Sequence, residues 1–206
     1  MQTKAKICGL TREEDILQAI RFGYSAIGLN FYQESPRYLS LEQSITLSRL
    51  VPDSVMKVGV FVNADEEYIR ERITSCDLDA IQLHGDESPD FCKLFEGIIR
   101  IKGIRLKAGI DITPFDAVEY LLVDAYDEES FGGTGKTIPE ELLKAFRFDT
   151  SRMILAGGLR AENVAEKIAA FCPAWVDVAS GVEDIPGIKS TEKMLAFIKA
   201  LSISRK

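Results

Sequence analysis

Histidine occurs once in this chain of 206 residues, at position 84. No cluster of His, Asp and Glu at ligand spacing accompanies it. No metal site is therefore expected, and His84 reads as a hydrogen-bonding group. The four cysteines, Cys8, Cys76, Cys92 and Cys172, are scattered without a Cys-x-x-Cys pair. That pattern argues against structural zinc and suits a reducing compartment. No apolar run reaches the roughly 18 residues of a membrane span, so no membrane association is expected. Met-Gln-Thr-Lys-Ala leads directly into the first apolar stretch, which predicts no signal peptide and a cytoplasmic protein. Positive charge is also short: 25 Lys and Arg stand against 32 Asp and Glu, for a net charge of −7. Nucleic acid, which needs a basic face, is not an expected partner. A small anionic ligand stays compatible, because backbone amides at helix N-termini hold anions. There is no linker and no low-complexity segment. The length suits a single domain, residues 1–206, with a large core.

What is present is an even alternation of strand and helix signals. Short apolar stretches predict strands over Ala5–Cys8, Ser25–Phe31, Val55–Val62, Asp79–Leu83, Ile98–Ile104, Tyr120–Val123, Met153–Ala156 and Trp175–Val178. Near-continuous apolar runs of this kind mark strands buried on both faces of a parallel sheet. Helices are predicted between them. Thr11 with Glu14 has the form of a capping box for a helix over Arg12–Arg21, which Gly23 ends. Ser40 with Gln43 repeats the form for a helix reaching Leu50. Further helices are expected over Glu66–Ser75, after Ser88-Pro89, over Pro139–Phe146, over Glu162–Phe171 and over Thr191–Leu201. Lys107–Ala117 is polar and predicts one or two helical turns at most. Eight units of ~25 residues match a (β/α)8 TIM barrel, an α/β fold. An open doubly wound sheet is the rival, and the uniform unit length favours the barrel.

On a barrel the strand ends converge on one face, where chemistry is done. These ends carry Cys8, Asn30, Arg37 in the second loop, Asn63, His84, Asp124, Gly157-Gly158 and Ser180-Gly181. A thiol at Cys8 is open to four readings: nucleophile, general base, ligand or small core residue. Asp124 ends an apolar strand, where a carboxylate is costly unless paired or used. The two glycine-bearing loops after strands seven and eight suit a phosphate, or else simply make tight turns. Gly132-Gly-Thr-Gly-Lys136-Thr137 has the look of a phosphate-binding P-loop. It lacks the glycine needed at Ser130, and Asp127-Glu128-Glu129 separates it from its strand. A flexible loop over a ligand is the better reading.

The ordered set Lys6-Ile-Cys-Gly-Leu-Thr, Ser35-Pro-Arg-Tyr, Val58-Gly-Val-Phe-Val-Asn, Gln82-Leu-His-Gly-Asp, Asp124 with Gly132-Gly-Thr-Gly-Lys, Leu155-Ala-Gly-Gly-Leu and Asp177-Val-Ala-Ser-Gly-Val-Glu resembles phosphoribosylanthranilate isomerase across the whole barrel. The resemblance implies an Amadori rearrangement in tryptophan biosynthesis without a cofactor, on a small phosphorylated substrate. It implies Asp124 as general acid and Cys8 as general base. Arg37 would meet the anthranilate carboxylate, His84 would contact substrate, and Gly157, Gly158, Ser180 and Gly181 would hold the phosphate. Three places depart from the family pattern: Ile138-Pro139-Glu140, Asn30 and Ala179. Another phosphosugar enzyme of the epimerase kind would want metal-binding histidines. A non-catalytic barrel holding a phosphorylated ligand would not need both Cys8 and Asp124.

Two expectations concern the first strand. Cys8 must be a thiolate part of the time, and the amides opening the first helix are expected to lower its pKa. Lys6 shares the parity of Cys8, so it should face the barrel interior. A buried lysine needs a partner, and Asp177 on the neighbouring eighth strand is the expected one. The alternative is that Lys6 snorkels to the lower rim.

Overall fold

A computed structural model describes residues 3–106, 111–125 and 149–203. Eight strands form a closed parallel barrel in sequential order. They are β1 (Lys4–Cys8), β2 (Ala26–Asn30), β3 (Met56–Phe61), β4 (Ala80–Leu83), β5 (Ile99–Leu106), β6 (Tyr120–Ala125), β7 (Met153–Leu155) and β8 (Trp175–Val178). β1 pairs with both β2 and β8, and Lys6 stands opposite Asp177 in the closing seam. The helices are α1 (Glu13–Phe22), α2 (Leu41–Ser48), α3 (Glu66–Cys76), α4 (Pro89–Lys93), α5 (Val164–Phe171) and α6 (Thr191–Ile203).

Strand periodicity sorts the side chains into two cores. Inward positions such as Val58, Ile101, Leu122, Ile154 and Trp175 fill the barrel. Outward positions such as Ile7, Ile27, Leu29 and Ile81 pack in a second cluster with helix residues such as Ile16, Ile69 and Phe197. Each fully buried Leu or Ile there contributes roughly 1.5–3 kcal/mol. Being apolar on both faces, the strands read as the continuous runs seen in the sequence.

The local signals were read correctly at α2 and at the end of α1. Ser40 Oγ accepts from the Gln43 amide at 3.2 Å, and the Gln43 side chain accepts from the Ser40 amide at 3.0 Å. Gly23 ends α1 with φ 90°. The start of α1 differs. Arg12, not Thr11, is the N-cap residue, and no side chain caps the helix. The Thr11 hydroxyl donates instead to the Gly187 carbonyl at 2.5 Å. A distant segment offers Thr11 an acceptor that a local pattern cannot reveal, and the box does not form. Glu14 turns to the Arg12 guanidinium at 2.5 Å.

That distant segment is a further difference. After β8 and a 3-10 turn over Ser180–Val182, the chain makes a small antiparallel hairpin. Its strands are β9 (Glu183–Ile185) and β10 (Ile188–Lys189), joined through Pro186-Gly187. The stretch over 107–117 shows only a 3-10 turn, Thr113–Phe115, among its described residues. The expected helix over Pro139–Phe146 and the Gly132–Thr137 loop lie outside the described residues.

Candidate active site

At the C-terminal ends of the strands lies a cavity of about 330 Å³. All eight site residues expected from the sequence line it: Cys8, Arg37, His84, Asp124, Gly157, Gly158, Ser180 and Gly181. They come from six different loops or strand ends, separated by up to 173 positions in the chain. Barrel closure is what brings them together.

Cys8 and Asp124 end β1 and β6, which two other strands, β8 and β7, separate around the barrel. Both side chains line the cavity, and each residue is 8 % exposed. They therefore face a bound molecule from different sides. Burial pushes the Cys8 thiol above its ordinary range. Lys6 pulls it down, Asp177 pushes it up, and Lys189 pulls it down, without reversing the effect of burial. This corrects the expectation of a pKa lowered by the α1 amides. Gly9, Leu10, Thr11 and Arg12 intervene before α1 begins, and the nearby positive charge belongs to lysines.

His84 follows β4, and its Nε2 lies 3.6 Å from Asp124 Oδ2. Its Nδ1 lies 2.9 Å from the Gln82 side-chain nitrogen. This contact with the Gln82 amide fixes the ring with Nε2 turned toward Asp124. Gly103 on β5 leaves room for the ring, since a Cβ there would meet His84 Nδ1 at 2.6 Å. Gln82 also lines the cavity. In the sequence it stands in the Gln82-Leu-His-Gly-Asp stretch, where nothing local marks it as a cavity residue.

Arg37 is buried, and its guanidinium grips Glu183 with two bonds, Nε to Oε1 at 2.8 Å and Nη2 to Oε2 at 2.7 Å. The partner expected for this fork is a ligand carboxylate. In the structure one edge is already taken. The loop that carries Arg37 is tied by Asn30, whose Oδ1 accepts from the Tyr32 amide at 2.9 Å. The Asn30 Nδ2 donates to Ser35 Oγ at 3.2 Å. The departure at Asn30 thus supports the Arg37 loop. Glu183 Oε1 also accepts from Lys189 Nζ at 2.8 Å. Lys189 Nζ in turn donates to the carbonyls of Cys8 at 2.6 Å and Ala179 at 3.2 Å. The hairpin therefore reaches the first strand, the second loop and the eighth loop at once. Its signal in the sequence is Pro186-Gly187 between two short stretches.

Gly157 and Gly158 have φ of 83° and 60°. Both are left-handed, which a residue with a side chain rarely adopts. Gly181 touches this same loop, since a Cβ there would lie 1.9 Å from the Leu159 carbonyl oxygen. The two loops are thus packed backbone to backbone at one end of the cavity. Among the described residues no group of three or more His, Cys, Asp or Glu could hold a metal ion. No helix among them is long and apolar enough to cross a membrane.

Comparison with known proteins agrees along the whole chain. Residues 5–200 match the family model described as N-(5'-phosphoribosyl)anthranilate (PRA) isomerase. The N-(5'-phosphoribosyl)anthranilate isomerase of Nitrosococcus oceani is 41% identical over 210 residues, covering 98% of this chain and 98% of that protein. The crystal structure of phosphoribosyl anthranilate isomerase from Thermus thermophilus superposes with a TM-score of 0.88 at 32% identity, covering 98% of this chain and 99% of that one. A phosphoribosyl anthranilate isomerase solved in complex with reduced 1-(o-carboxyphenylamino)-1-deoxyribulose 5-phosphate gives 0.79 at 33% identity, covering 98% and 99%. With the barrel closed in the same way and the similarity spanning nearly its full length, the chain belongs to the N-(5'-phosphoribosyl)anthranilate isomerase family.

Proposed function

We propose that the cavity carries out the Amadori rearrangement of N-(5-phosphoribosyl)anthranilate to 1-(2-carboxyphenylamino)-1-deoxyribulose 5-phosphate, with Asp124 as acid and Cys8 as base. The observation that carries the assignment is the placement of these two groups on separated strands, facing one cavity. Asp124 protonates the furanose ring oxygen, the C1′–O bond breaks, and the anthranilate nitrogen supplies electrons to form an iminium. The Cys8 thiolate removes the C2′ proton, giving an enolamine that tautomerises to the ketone. The reaction is an isomerisation, so protons move but no electrons leave the substrate. One acid and one base suffice, and no cofactor is required.

The remaining groups divide the binding work. The close-packed loops of Gly157, Gly158, Ser180 and Gly181 offer backbone amides to the phosphate. Arg37 offers the anthranilate carboxylate the N–H groups that Glu183 leaves available. His84 turns Nε2 toward Asp124 and stabilises the carboxylate left after proton donation.

Cys8→Ala and Asp124→Asn should each lose ~10²–10⁴-fold in kcat. Binding of a reduced product analogue should change far less in either variant. Because burial holds the thiol high, the fraction of Cys8 present as thiolate should keep rising into the alkaline range. Cys8→Ser is the decisive variant: it keeps the shape, but a hydroxyl is a far weaker base at neutral pH. Near-parent kcat in Cys8→Ser would remove Cys8 from the reaction.

A further inference from the structure

Lys6 is fully buried, 1 % exposed, on β1 two residues before Cys8. Its Nζ lies 3.0 Å from Asp177 Oδ1 across the β1–β8 seam. A lysine there could merely close the seam, but its head group is not directed at Asp177 alone. Gly28, opposite Cys8 on β2, locates the other contact. A Cβ built on Gly28 would meet Cys8 Sγ at 2.9 Å and Lys6 Nζ at 3.1 Å. The thiol and the ammonium therefore share one small space and lie no more than about 6 Å apart, within the range over which a charge moves a neighbour's pKa. Gly28 keeps that space free of any side chain.

We propose that Lys6 is a positioning residue for the reaction, its buried ammonium serving as the counter-ion that stabilises the Cys8 thiolate when it forms. The proposal rests on the reading of Cys8 as the base. Asp177 holds the ammonium charged and in place, and at the same time limits its pull on the thiol.

Other charged groups face Cys8 as well. Lys189 on β10 donates to the Cys8 carbonyl, and Arg37 in the second loop carries its charge nearby. Both of these are neutralised in part by Glu183, which pairs with each of them. Asp124 and His84 line the same cavity. Lys6 and Lys189 are both enclosed, so solvent screens neither, but it is the Lys6 Nζ that shares the space over Gly28 with the thiol. Burial alone would leave the thiol almost entirely protonated at neutral pH, and Lys6 is the strongest opposing influence. The interaction is mutual, since Cys8 also helps hold Lys6 in its charged form.

The test reads the thiolate without using turnover. Cys8 in the parent protein is alkylated with iodoacetamide across a pH series, and modification of the Cys8 peptide is followed by mass spectrometry, which separates it from the other three cysteines. The same is done for Lys6→Met and for Lys6→Met/Asp177→Asn, in which no charge is left unpaired should the single variant fold poorly. The alkylation midpoint should move upward by about 1–3 pH units in Lys6→Met, and by less in the double variant. The kcat at neutral pH should fall with it, about tenfold for each pH unit of displacement, while KM holds. Folded variants with a midpoint at the parent value would overturn the proposal. A displaced midpoint with an unchanged kcat at neutral pH would instead count against Cys8 as the base, leaving the counter-ion role intact.

Discussion

Arg37 shows how one residue can serve the site and the fold at the same time. Its fork holds Glu183 through two short bonds in a buried setting, and the same side chain lines the cavity. Arg37→Ala should therefore carry two costs. Binding of a product analogue should weaken by roughly 2–4 kcal/mol, the usual loss when one partner of a buried charge pair is truncated. Stability should also fall, because Glu183 keeps Lys189 but loses the stronger bidentate partner. Adding Glu183→Gln should restore part of the melting temperature and none of the affinity. An analogue without the carboxylate should bind parent and Arg37→Ala alike. If the variant still prefers the carboxylate as the parent does, another group holds it.

At the scale of elements, the β9–β10 hairpin organises more of the site than its five strand residues suggest. It supplies Glu183 to Arg37, Lys189 to the Cys8 carbonyl, and the Gly187 carbonyl to Thr11. The Lys189 amide donates to Asp15 of α1 at 3.1 Å, and Asp15 also holds the Arg12 guanidinium at 2.7 Å. The entrance to α1 is thus fixed from the far end of the chain. A pair of variants distinguishes this arrangement from a local cap. Thr11→Val should cost about 1 kcal/mol of stability, one side-chain hydrogen bond. Glu14→Ala, on an exposed side chain, should stay within about 0.5 kcal/mol. Comparable losses from both in denaturant unfolding would restore the capping box. Against this, the Ser40–Gln43 box forms as written, because no distant group among the described residues takes either side chain.

For the whole molecule, the buried charges set where stability ends. Burial alone would raise Glu183, but the hydrogen bonds from Arg37 and the charge of Lys189 outweigh it and hold it below the ordinary glutamate value. A carboxylate depressed in the folded state adds stability that is present above its unfolded pKa. That stability is lost as pH falls through the folded pKa. Lys6 works at the other end. Burial opposes its charge, but Asp177 and Cys8 hold its pKa above the ordinary lysine value. Its contribution is full below the unfolded lysine pKa and fades as pH rises through the folded one. Melting temperature should be level between these limits and drop below roughly pH 4–5, the range in which unfolded glutamate titrates. Glu183→Gln should flatten the acid drop, and an unchanged slope would mean that other carboxylates govern it.

The sequence by itself determined the barrel, because doubly buried strands and evenly spaced helices leave periodic traces within ~25-residue windows. It placed Cys8, Asp124, Arg37, His84 and the glycine loops at strand ends, which is enough to put them on one face. It also anticipated the Lys6–Asp177 pair, since strand parity and barrel closure together fix which residues meet at the seam. What it could not reach were contacts decided by which distant groups compete for one partner. Thr11 forms no cap because Gly187, 176 positions away, accepts its hydroxyl. Arg37 is half committed because Glu183, 146 positions away, comes to lie against it. The Cys8 thiol is raised because burial outweighs the lysines beside it. Each outcome depends on burial and on partners that chain closure supplies, and neither is a property of any short stretch of sequence.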